Sequence, residues 1–222
     1  KRQGEYSALV ASEALRFSEA VALVQKRGQY MTEAAPQGTG KMVAVMNAER
    51  EVIEKACQEA SAFGIVAPAN YNTPQQIVIG GEVAAVDQAM TLLKEAGVKR
   101  MIPLNVSGPF HTALLQPASK KLAQDLAKLN FQTMQIPVIS NTTAEIMPQE
   151  AIQALLEKQV MSAVRFEDSI ETMKAMNVGT MIEVGPGKTL TGFVKKIDKT
   201  IEMHRVEDVA TLTETLTALT GR

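Results

Sequence analysis

Cysteine and histidine are scarce in this sequence of 222 residues, and their scarcity excludes several classes of protein. Cys57 is the only cysteine, so the chain can form neither an internal disulfide nor a cysteine-based metal site. The two histidines, His111 and His204, lie far apart and lack the short spacing of paired metal ligands. We therefore expect no bound metal, and we expect a reducing, cytoplasmic environment.

Long apolar runs and an excess of charge of one sign are missing as well. No run approaches the roughly 18–20 apolar residues of a membrane span, and no signal-peptide hydrophobic region is visible. The formal net charge of −1 gives no overall reason to expect nucleic acid as a partner. With 45% hydrophobic and 21% charged residues, the composition is that of an ordinary globular protein without nucleic-acid or membrane partners.

What is present is a regular alternation of helix and strand patterns. Apolar residues at helical spacing predict two successive helices up to about Ala35, and Pro36 with the glycines of 37–40 predicts a hinge. The order that follows is strand, helix, strand, strand, helix, strand, which is typical of a ferredoxin-like subdomain. The predicted strands are 42–46, 65–72, 75–81 and 99–106, and the predicted helices are 48–60 and 82–97.

The rest of the chain also alternates between helix and strand. Such alternation predicts an α/β fold containing a parallel sheet with helices on both faces. We therefore expect a larger α/β body made of residues 1–40 and 105–222, with the ferredoxin-like subdomain inserted at 41–104. Within the second part of the body, the patterns predict helices from Leu115 to Leu129, near 152–160 and from Phe166 to Met173, and strands at 137–140 and 181–184.

Two glycine-rich stretches are tested as phosphate-binding loops, and both fail. The pattern GxxxxGK[ST] would place its first glycine at Ile182 for the stretch GPGKT (185–189). The stretch GTGK (38–41) has Ala35 at the first glycine position and Met42 where serine or threonine belongs. The GPG turn is better interpreted as a tight turn at the carboxyl end of a strand, where open α/β sheets place ligand crevices.

Two side chains lie in suggestive places. His111 follows a predicted strand and turn and precedes a helix, so it either points into a cleft or serves as a capping or partly buried structural residue. Arg27 lies inside a helix just before Gly28, which costs a helix roughly 1 kcal/mol relative to alanine and hints that something approaches the backbone there. The alternative is a solvated arginine beside a helix end. His204 is interpreted as structural.

Several segments, taken together and in order, resemble the malonyl-CoA:acyl carrier protein transacylase family of bacterial fatty acid synthesis. They are GEYSALVASEAL, KRGQYM, GTGKMVAV, ANYNTPQQIVIGG, VSGPFHT, QVMSAVRFEDSI and EVGPGKTLTGFVKKI. The resemblance covers essentially the whole chain, and the related acyltransferase domains of polyketide synthases match these segments less closely. It implies a hydrolase-like parallel-sheet body with an inserted ferredoxin-like subdomain, and it implies transfer of malonyl from CoA to the phosphopantetheine thiol of acyl carrier protein through a seryl ester.

The resemblance also implies roles for individual residues. His111 corresponds to the general base, oriented by the main-chain carbonyl of Gln159, and Arg27 corresponds to the arginine that pairs with the free malonyl carboxylate. Phe110 fits a pocket sized for malonyl, since methylmalonyl-specific relatives tend to carry a smaller residue there. Arginine suits a carboxylate because its planar fork makes two charge-assisted hydrogen bonds. No cofactor is implied, because the carrier protein brings the phosphopantetheine.

The first residues depart from the family pattern. In the family the nucleophile lies in a GHSLGEYSAL turn, and alignment of the shared GEY puts Arg2 at the serine position and Gln3 at the oxyanion-hole N–H. Ser7, Ser12 and Ser107 are poor substitutes. We therefore expect the N-terminal part of the body to be missing, this chain to be inactive alone, and self-association to compensate for exposed core.

A basic cluster suggests how acyl carrier protein, which is strongly acidic, could dock. It consists of Lys188, Lys195, Lys196 and Lys199, just beyond the GPG turn. The alternative is that these lysines only solvate a helix end. A second hypothesis for the whole chain is a non-catalytic module, derived from the transacylase, that binds or scaffolds the carrier protein.

Overall fold

The computed structural model describes residues 4–36, 38–105 and 108–221 as an alternation of helices and strands. In chain order the elements are α1 (Gly4–Ala11), α2 (Phe17–Ala34), β1 (Lys41–Met46), α3 (Arg50–Ala60), β2 (Val66–Thr73), β3 (Gln76–Gly81), α4 (Val83–Glu95), β4 (Arg100–Pro103), α5 (Gln116–Leu126), α6 (Ile152–Gln159), β5 (Val164–Arg165), α7 (Phe166–Ala175), β6 (Thr180–Val184), α8 (Thr189–Ile197), β7 (Glu202–Val206) and α9 (Val209–Thr220). The predicted α/β class is confirmed.

The first five strands form one sheet in the order β4-β1-β3-β2-β5. Strands β1 to β4 pair antiparallel, with Val43 of β1 opposite Ile79 on one side and Pro103 on the other. The short β5 joins β2 in parallel. With α3 between β1 and β2 and α4 between β3 and β4, the first four strands have the predicted ferredoxin-like order. The limits 41–104 of that subdomain stay a prediction.

Strand β1 contributes apolar side chains to both faces of this sheet. Successive side chains of a strand point to opposite faces, so its alternate residues belong to two different clusters. Val43 and Val45 of β1 belong to a buried cluster with Ile53 of α3 and Leu93 of α4. Met42 of β1 lies in a smaller cluster on alternate positions, with Ala44, Ala69 and Val78. Strand β1, which is paired on both sides, is therefore buried almost continuously, which is why its sequence shows an apolar run rather than an alternation.

A third apolar cluster lies between helices α1, α2, α5 and α6. Its members include Leu9, Leu23, Leu122 and Leu156, each of which is at most 3% exposed. Polar contacts hold α2 against α5 at the edge of this cluster, where Asp125 accepts hydrogen bonds from Tyr30 at 2.6 Å and Lys26 at 2.7 Å. These four helices therefore form a packed layer in which the candidate site residues of α1, α2 and α6 are anchored.

The chain divides into two compact units, Lys1–Ser169 and Ile170–Arg222. In the second unit β6 and β7 pair in parallel, with Ile182 opposite His204, and α8 connects them. Helix α9 begins with a capping box, in which Asp208 accepts a hydrogen bond from the Thr211 backbone and the Thr211 hydroxyl accepts one from the Asp208 backbone. It ends on Gly221, whose φ of 67° suits a left-handed C-cap.

Three details of the sequence prediction need correction or addition. The strand predicted at 137–140 is wrong, since a single bridge forms there among the described residues, between Ile139 and Ile146. Pro137 has no N–H to donate, and a tight turn closed by the Ala144 N–H on the Ser140 carbonyl ends the pairing at once. The strand predicted at 99–106 is shorter, and β7 and α9 were not predicted at all.

Several large apolar side chains lie on the surface. Phe17 and Val21 of α2 are 73% and 52% exposed, and Val184 and Val209 of the second unit are 79% and 80% exposed. Apolar exposure of this kind is what the expected self-association would cover, and self-association stays a prediction. Among the described residues, no helix combines the length and apolar character needed to cross a membrane.

Candidate active site

His111 lies at a backbone position that fixes its direction. Its φ is 61°, in the left-handed region that histidine enters more readily than most residues, and its side chain is only 1% exposed. The preceding turn is held by the Thr112 hydroxyl, which donates to the carbonyl of Pro109 at 2.7 Å. A 3₁₀ turn and α5 follow immediately. The imidazole is therefore placed by a constrained turn that directly precedes the 3₁₀ turn and α5.

The imidazole Nδ1 faces two main-chain carbonyl oxygens, those of Gln159 and Ser162, each at 3.0 Å. Carbonyl oxygens only accept hydrogen bonds, so Nδ1 carries the proton and Nε2 of the neutral ring is the basic nitrogen. Gln159 is the last residue of α6, where carbonyl groups have no partner within the helix and are available to other donors. The structure thus brings together His111 and Gln159, as the resemblance implied.

The turn before His111 packs closely against the hinge that precedes β1. A Cβ built on Gly40 would lie 2.3 Å from the Pro109 ring and 2.7 Å from the Gly81 carbonyl oxygen. Gly108 has a similar but looser neighbour, with the Ala35 carbonyl oxygen 3.2 Å from the position of its Cβ. Only glycine at position 40 permits this approach, so the hinge residues help to place the histidine.

Arg27 is buried on α2 with its side chain directed toward Gln159. Its Nη2 donates to Gln159 Oε1 at 3.2 Å, and the residue is 4% exposed. Its Nε is buried without a hydrogen-bond partner in the described part of the chain, and no described carboxylate lies within ion-pair distance of it. Burial lowers the pKa of Arg27 below its usual range, although arginine stays charged in proteins. A buried cation with open hydrogen-bonding capacity is suited to an anionic ligand.

The expectation that something approaches the backbone at Gly28 is wrong for the described residues. A Cβ built there would have no heavy atom within 4 Å. Gly28 instead lies beside an open surface cavity, together with Gln29, Thr32 and Glu33. The interest of this segment therefore rests on Arg27 alone.

Glu5 and Tyr6 complete the surroundings of Arg27, and sequence analysis assigned neither of them a role. Glu5 is 5% exposed, and one of its carboxylate oxygens, Oε2, accepts a short hydrogen bond from Gln159 Nε2. Burial raises the pKa of Glu5, while the charge of Arg27 opposes that rise. The Tyr6 ring centroid lies 5.9 Å from the Arg27 Cζ, and burial raises the pKa of Tyr6 to about 12.

Phe110 lies between two apolar clusters. It is partly buried and packs against both the helix-layer cluster and the small cluster on the sheet that contains Met42. Its position next to His111 puts an aromatic ring beside the candidate base. The pocket-sizing role that the resemblance implied for Phe110 stays a prediction.

The basic cluster belongs to the second unit. Lys188 and Lys195 line a cavity of about 410 Å³ with His204 and Arg205, between α8, β7 and α9. Lys196 and the fourth lysine, at position 199, are also exposed. None of the four takes part in an ion pair with a described residue. These cations are thus available to an acidic partner.

The amino end of α8 offers no phosphate site. The carboxylate of Glu183 accepts hydrogen bonds from the N–H groups of Leu190 and Thr191 at 3.0 and 2.7 Å. Glu207 accepts from the Gly187 N–H at 2.7 Å in the same way. Because these carboxylates already satisfy the donors that a phosphate would use, the geometry agrees with the rejection of a phosphate loop.

The remaining predicted positions add little to the site. Arg2, Gln3 and Ser107 lie outside the described residues. Ser12 is buried and donates to the Leu9 carbonyl at 3.0 Å, which is a structural role. His204 contacts Glu202 at 2.9 Å within β7. In the part of the chain that the structure describes, no cluster of three or more His, Cys, Asp or Glu side chains could hold a metal ion.

A family model and a curated protein that match this chain both describe acyl transferases. The family model described as "Acyl transferase domain" matches residues 2–218. The malonyl CoA-acyl carrier protein transacylase of Bacillus subtilis is 45% identical over 211 residues, covering 94% of this chain and 67% of that protein.

Solved structures are similar throughout the chain. The crystal structure of MCAT from Streptococcus pneumoniae is 59% identical with a TM-score of 0.94, covering 96% of this chain and 70% of that one. A malonyl-transacylase solved in complex with a type II PKS acyl-carrier protein is 42% identical with a TM-score of 0.91, covering 98% of this chain and 70% of that one.

Proposed function

The chain belongs to the acyl transferase domain family, and we propose that its reaction is transfer of a malonyl group from malonyl-CoA to the phosphopantetheine thiol of acyl carrier protein. In the family the malonyl group is carried between the two as a seryl ester, as a step of fatty acid biosynthesis. Because Arg2 stands at the serine position in this sequence, we infer that this chain alone does not complete the transfer. Similar proteins named for this reaction cover nearly all of the chain. The proposal needs no cofactor bound by this chain, and it includes the cytoplasm as the place of action.

The observation that carries the proposal is Arg27. A buried guanidinium with an open Nε and no described carboxylate partner is costly to maintain unless a ligand supplies the anion. The malonyl group has one free carboxylate beyond its thioester, which is the anion that such a site requires. Arg27 and the candidate base His111 both contact Gln159, so the acyl recognition site and the proton-transfer site share one residue.

His111 performs the proton transfers in this proposal. With Nδ1 held by the Gln159 and Ser162 carbonyls, Nε2 takes the proton of the attacking hydroxyl as the oxygen bonds to the thioester carbon. The tetrahedral intermediate then collapses, the C–S bond breaks, and Nε2 returns the proton to the CoA thiolate. In the second half, Nε2 takes the proton of the phosphopantetheine thiol as the sulfur bonds to the ester carbon. The bond from that carbon to the serine oxygen then breaks, and Nε2 returns the proton to the serine oxygen. The buried carbonyls stabilise the imidazolium that forms each time.

Four lysines on or next to α8 form the proposed docking patch for acyl carrier protein, namely Lys188, Lys195, Lys196 and Lys199. Their exposure and their lack of described ion-pair partners support this role. Charge at such a patch raises the association rate more than it changes the complex once formed. A solved relative in complex with an acyl-carrier protein supports a carrier as the partner.

Calorimetric titration of this chain with malonyl-CoA and acetyl-CoA tests the proposed substrate. We expect malonyl-CoA to bind more tightly, because acetyl leaves the desolvated guanidinium of Arg27 unpaired. Free CoA is the control for the shared part of the ligand. Equal affinity for the two acyl-CoAs would contradict the proposal.

Mass spectrometry after incubation with malonyl-CoA tests the covalent step. In this sequence the aligned nucleophile position holds Arg2, whose guanidinium cannot form an acyl ester, so we expect no malonyl adduct on the chain as it stands. A hydroxylamine-sensitive adduct would contradict this expectation. Binding of carrier protein without any transfer would favour the alternative of a non-catalytic carrier-binding module.

A further inference from the structure

Glu5, which lies 154 positions from Gln159 in sequence, is joined to Arg27 through the amide of Gln159. Gln159 Nε2 donates to Glu5 Oε2, and Gln159 Oε1 accepts from Arg27 Nη2 at 3.2 Å. All three side chains are at most 5% exposed. The carboxylate and the guanidinium are thus connected across one amide, without forming a direct ion pair.

This arrangement fixes the direction of the amide. A carboxylate only accepts and a guanidinium only donates, so the Gln159 nitrogen must face Glu5 and its oxygen must face Arg27. If the carboxylate of Glu5 is replaced by a neutral amide, the Gln159 amide can turn over and present its nitrogen to Arg27. Two donors would then face each other, and the guanidinium would lose its support. The orientation of Arg27 therefore depends on the charge of Glu5.

The carboxylate is held in place from other sides as well. The Ser140 hydroxyl and the Asn141 backbone N–H lie near it and favour its charged form, against the burial that raises its pKa. Oε1 nevertheless has no hydrogen bond of good geometry among the described residues. A direct contact with Arg27 would neutralise the guanidinium and compete with an incoming anion. Placing one amide between them keeps Arg27 supported and still open at Nε.

We propose that Glu5 is a positioning residue for acyl selection, acting through the Gln159 amide to hold the Arg27 guanidinium ready for the carboxylate of a dicarboxylic acyl group. This inference rests on the proposed function, because it assigns the carboxylate ligand to Arg27. Glu5 itself touches neither substrate nor reacting atoms in this role. It determines how strongly malonyl is preferred over acetyl, and it leaves recognition of the CoA portion unchanged.

The test compares affinities of the same chain for malonyl-CoA and acetyl-CoA by calorimetry. Glu5→Gln keeps the size of the side chain and removes its charge, and we expect the preference for malonyl-CoA to fall about tenfold, the loss of roughly one charge-assisted hydrogen bond. Affinity for acetyl-CoA should stay the same. Ser12→Ala, which removes a buried hydroxyl just beyond α1, is the control for general loosening of that helix. It should change both affinities equally or neither.

A double-variant cycle shows whether Glu5 acts through Arg27. In an Arg27→Met background, Glu5→Gln should no longer change the preference, because the residue that it positions is gone. Gln159→Glu provides an independent arm if circular dichroism shows that Glu5→Gln does not fold. It puts a carboxylate directly on Arg27 and should abolish the preference.

The possible outcomes separate the inference from the proposed function. If the unaltered chain shows no preference for malonyl-CoA, the proposed function fails, and the role of Glu5 fails with it. If the unaltered chain prefers malonyl-CoA and Glu5→Gln retains the full preference, only the role of Glu5 is overturned. A preference that survives Gln159→Glu would also overturn it.

Discussion

Replacing Arg27 with methionine should weaken the binding of malonyl-CoA without lowering the free energy of unfolding. The guanidinium is 4% exposed and makes one described side-chain hydrogen bond, to Gln159, across from an unpartnered Nε. Methionine keeps much of the volume of arginine and removes the charge. The variant therefore deletes the proposed anion partner with little change in packing around α2.

The expected loss of affinity for malonyl-CoA is large. Truncating one member of a buried, hydrogen-bonded charge pair costs about 2–5 kcal/mol, which corresponds to about 30-fold to several-thousand-fold in the dissociation constant. Affinity for acetyl-CoA should change by less than about threefold, since acetyl has no carboxylate to lose.

The free energy of unfolding should stay the same or rise in this variant. Arg27 has no ion-pair partner among the described residues, so its desolvation cost falls on the unliganded protein, and an apolar side chain of similar volume removes that cost. We therefore expect the Arg27→Met chain to unfold at the same or higher urea concentration. Urea titration followed by far-UV circular dichroism measures this, because the chain contains no tryptophan.

Arg16→Met is the matched control, since Arg16 is an exposed arginine at the start of the same helix. It should change neither the binding preference nor the urea midpoint appreciably. The reasoning would be refuted if Arg27→Met weakened malonyl-CoA and acetyl-CoA equally. It would also be refuted if the variant lost several kcal/mol of stability, because Arg27 would then be a structural residue.

Four further variants test other parts of the structure. Charge reversal at Lys195 and Lys196 should slow association with acyl carrier protein in surface plasmon resonance, with a smaller change in dissociation. Gly40→Ala should destabilise the chain by about 1–3 kcal/mol, because its Cβ would overlap the ring of a proline, whereas Gly28→Ala should stabilise it by about 0.5–1 kcal/mol in urea unfolding. Hydrogen bonds led by that from Lys26 lower the pKa of Asp125 to about 2, so the stability that Asp125 contributes is present above pH 3.8 and is lost as pH falls toward 2. Asp125→Asn should accordingly lower the thermal midpoint at neutral pH but not near pH 2.

Each of these has a control and a contradicting result. Reversing the charge of Lys94 and Lys99 gives the same net change on the first unit, and an equal effect on carrier association would discard the patch. A Gly40→Ala chain as stable as the original would show that the turn at Pro109 yields easily. If Asp125→Asn lowered the thermal midpoint as much near pH 2 as at neutral pH, the Asp125 carboxylate would not be the cause of the loss of stability in acid.

The fold was predictable where local pattern and tertiary role agree. The ferredoxin-like order follows from strand and helix patterns of adequate length, with Gly97 ending α4 at a φ of 91°. Strand β7 escaped prediction because EMHRV mixes charged and apolar residues without a clear period. Helix α9 buries Thr211 and Thr215 while Leu216 is 51% exposed, so its apolar face gives no indication of what it packs against.

The candidate site was predictable only in part. The resemblance implied roles for His111, Arg27 and the Gln159 carbonyl, and these residues lie together. The Gln159 side chain and Glu5 were missed, because the contact between them exists only after α1 and α6 have packed. A glutamate within the apolar stretch GEYSALVA was the one local indication that a charge is buried there.

Phe110 connects the packing of two apolar clusters to the candidate base, His111. Phe110 packs against both the helix-layer cluster and the small cluster on the five-stranded sheet. The next residue is His111, whose Nδ1 lies 3.0 Å from the Gln159 carbonyl oxygen at the end of α6. Because one peptide bond joins Phe110 to His111, the packing of both clusters bears on where the imidazole lies. A substitution that loosens either cluster should therefore also disturb the position of the candidate base.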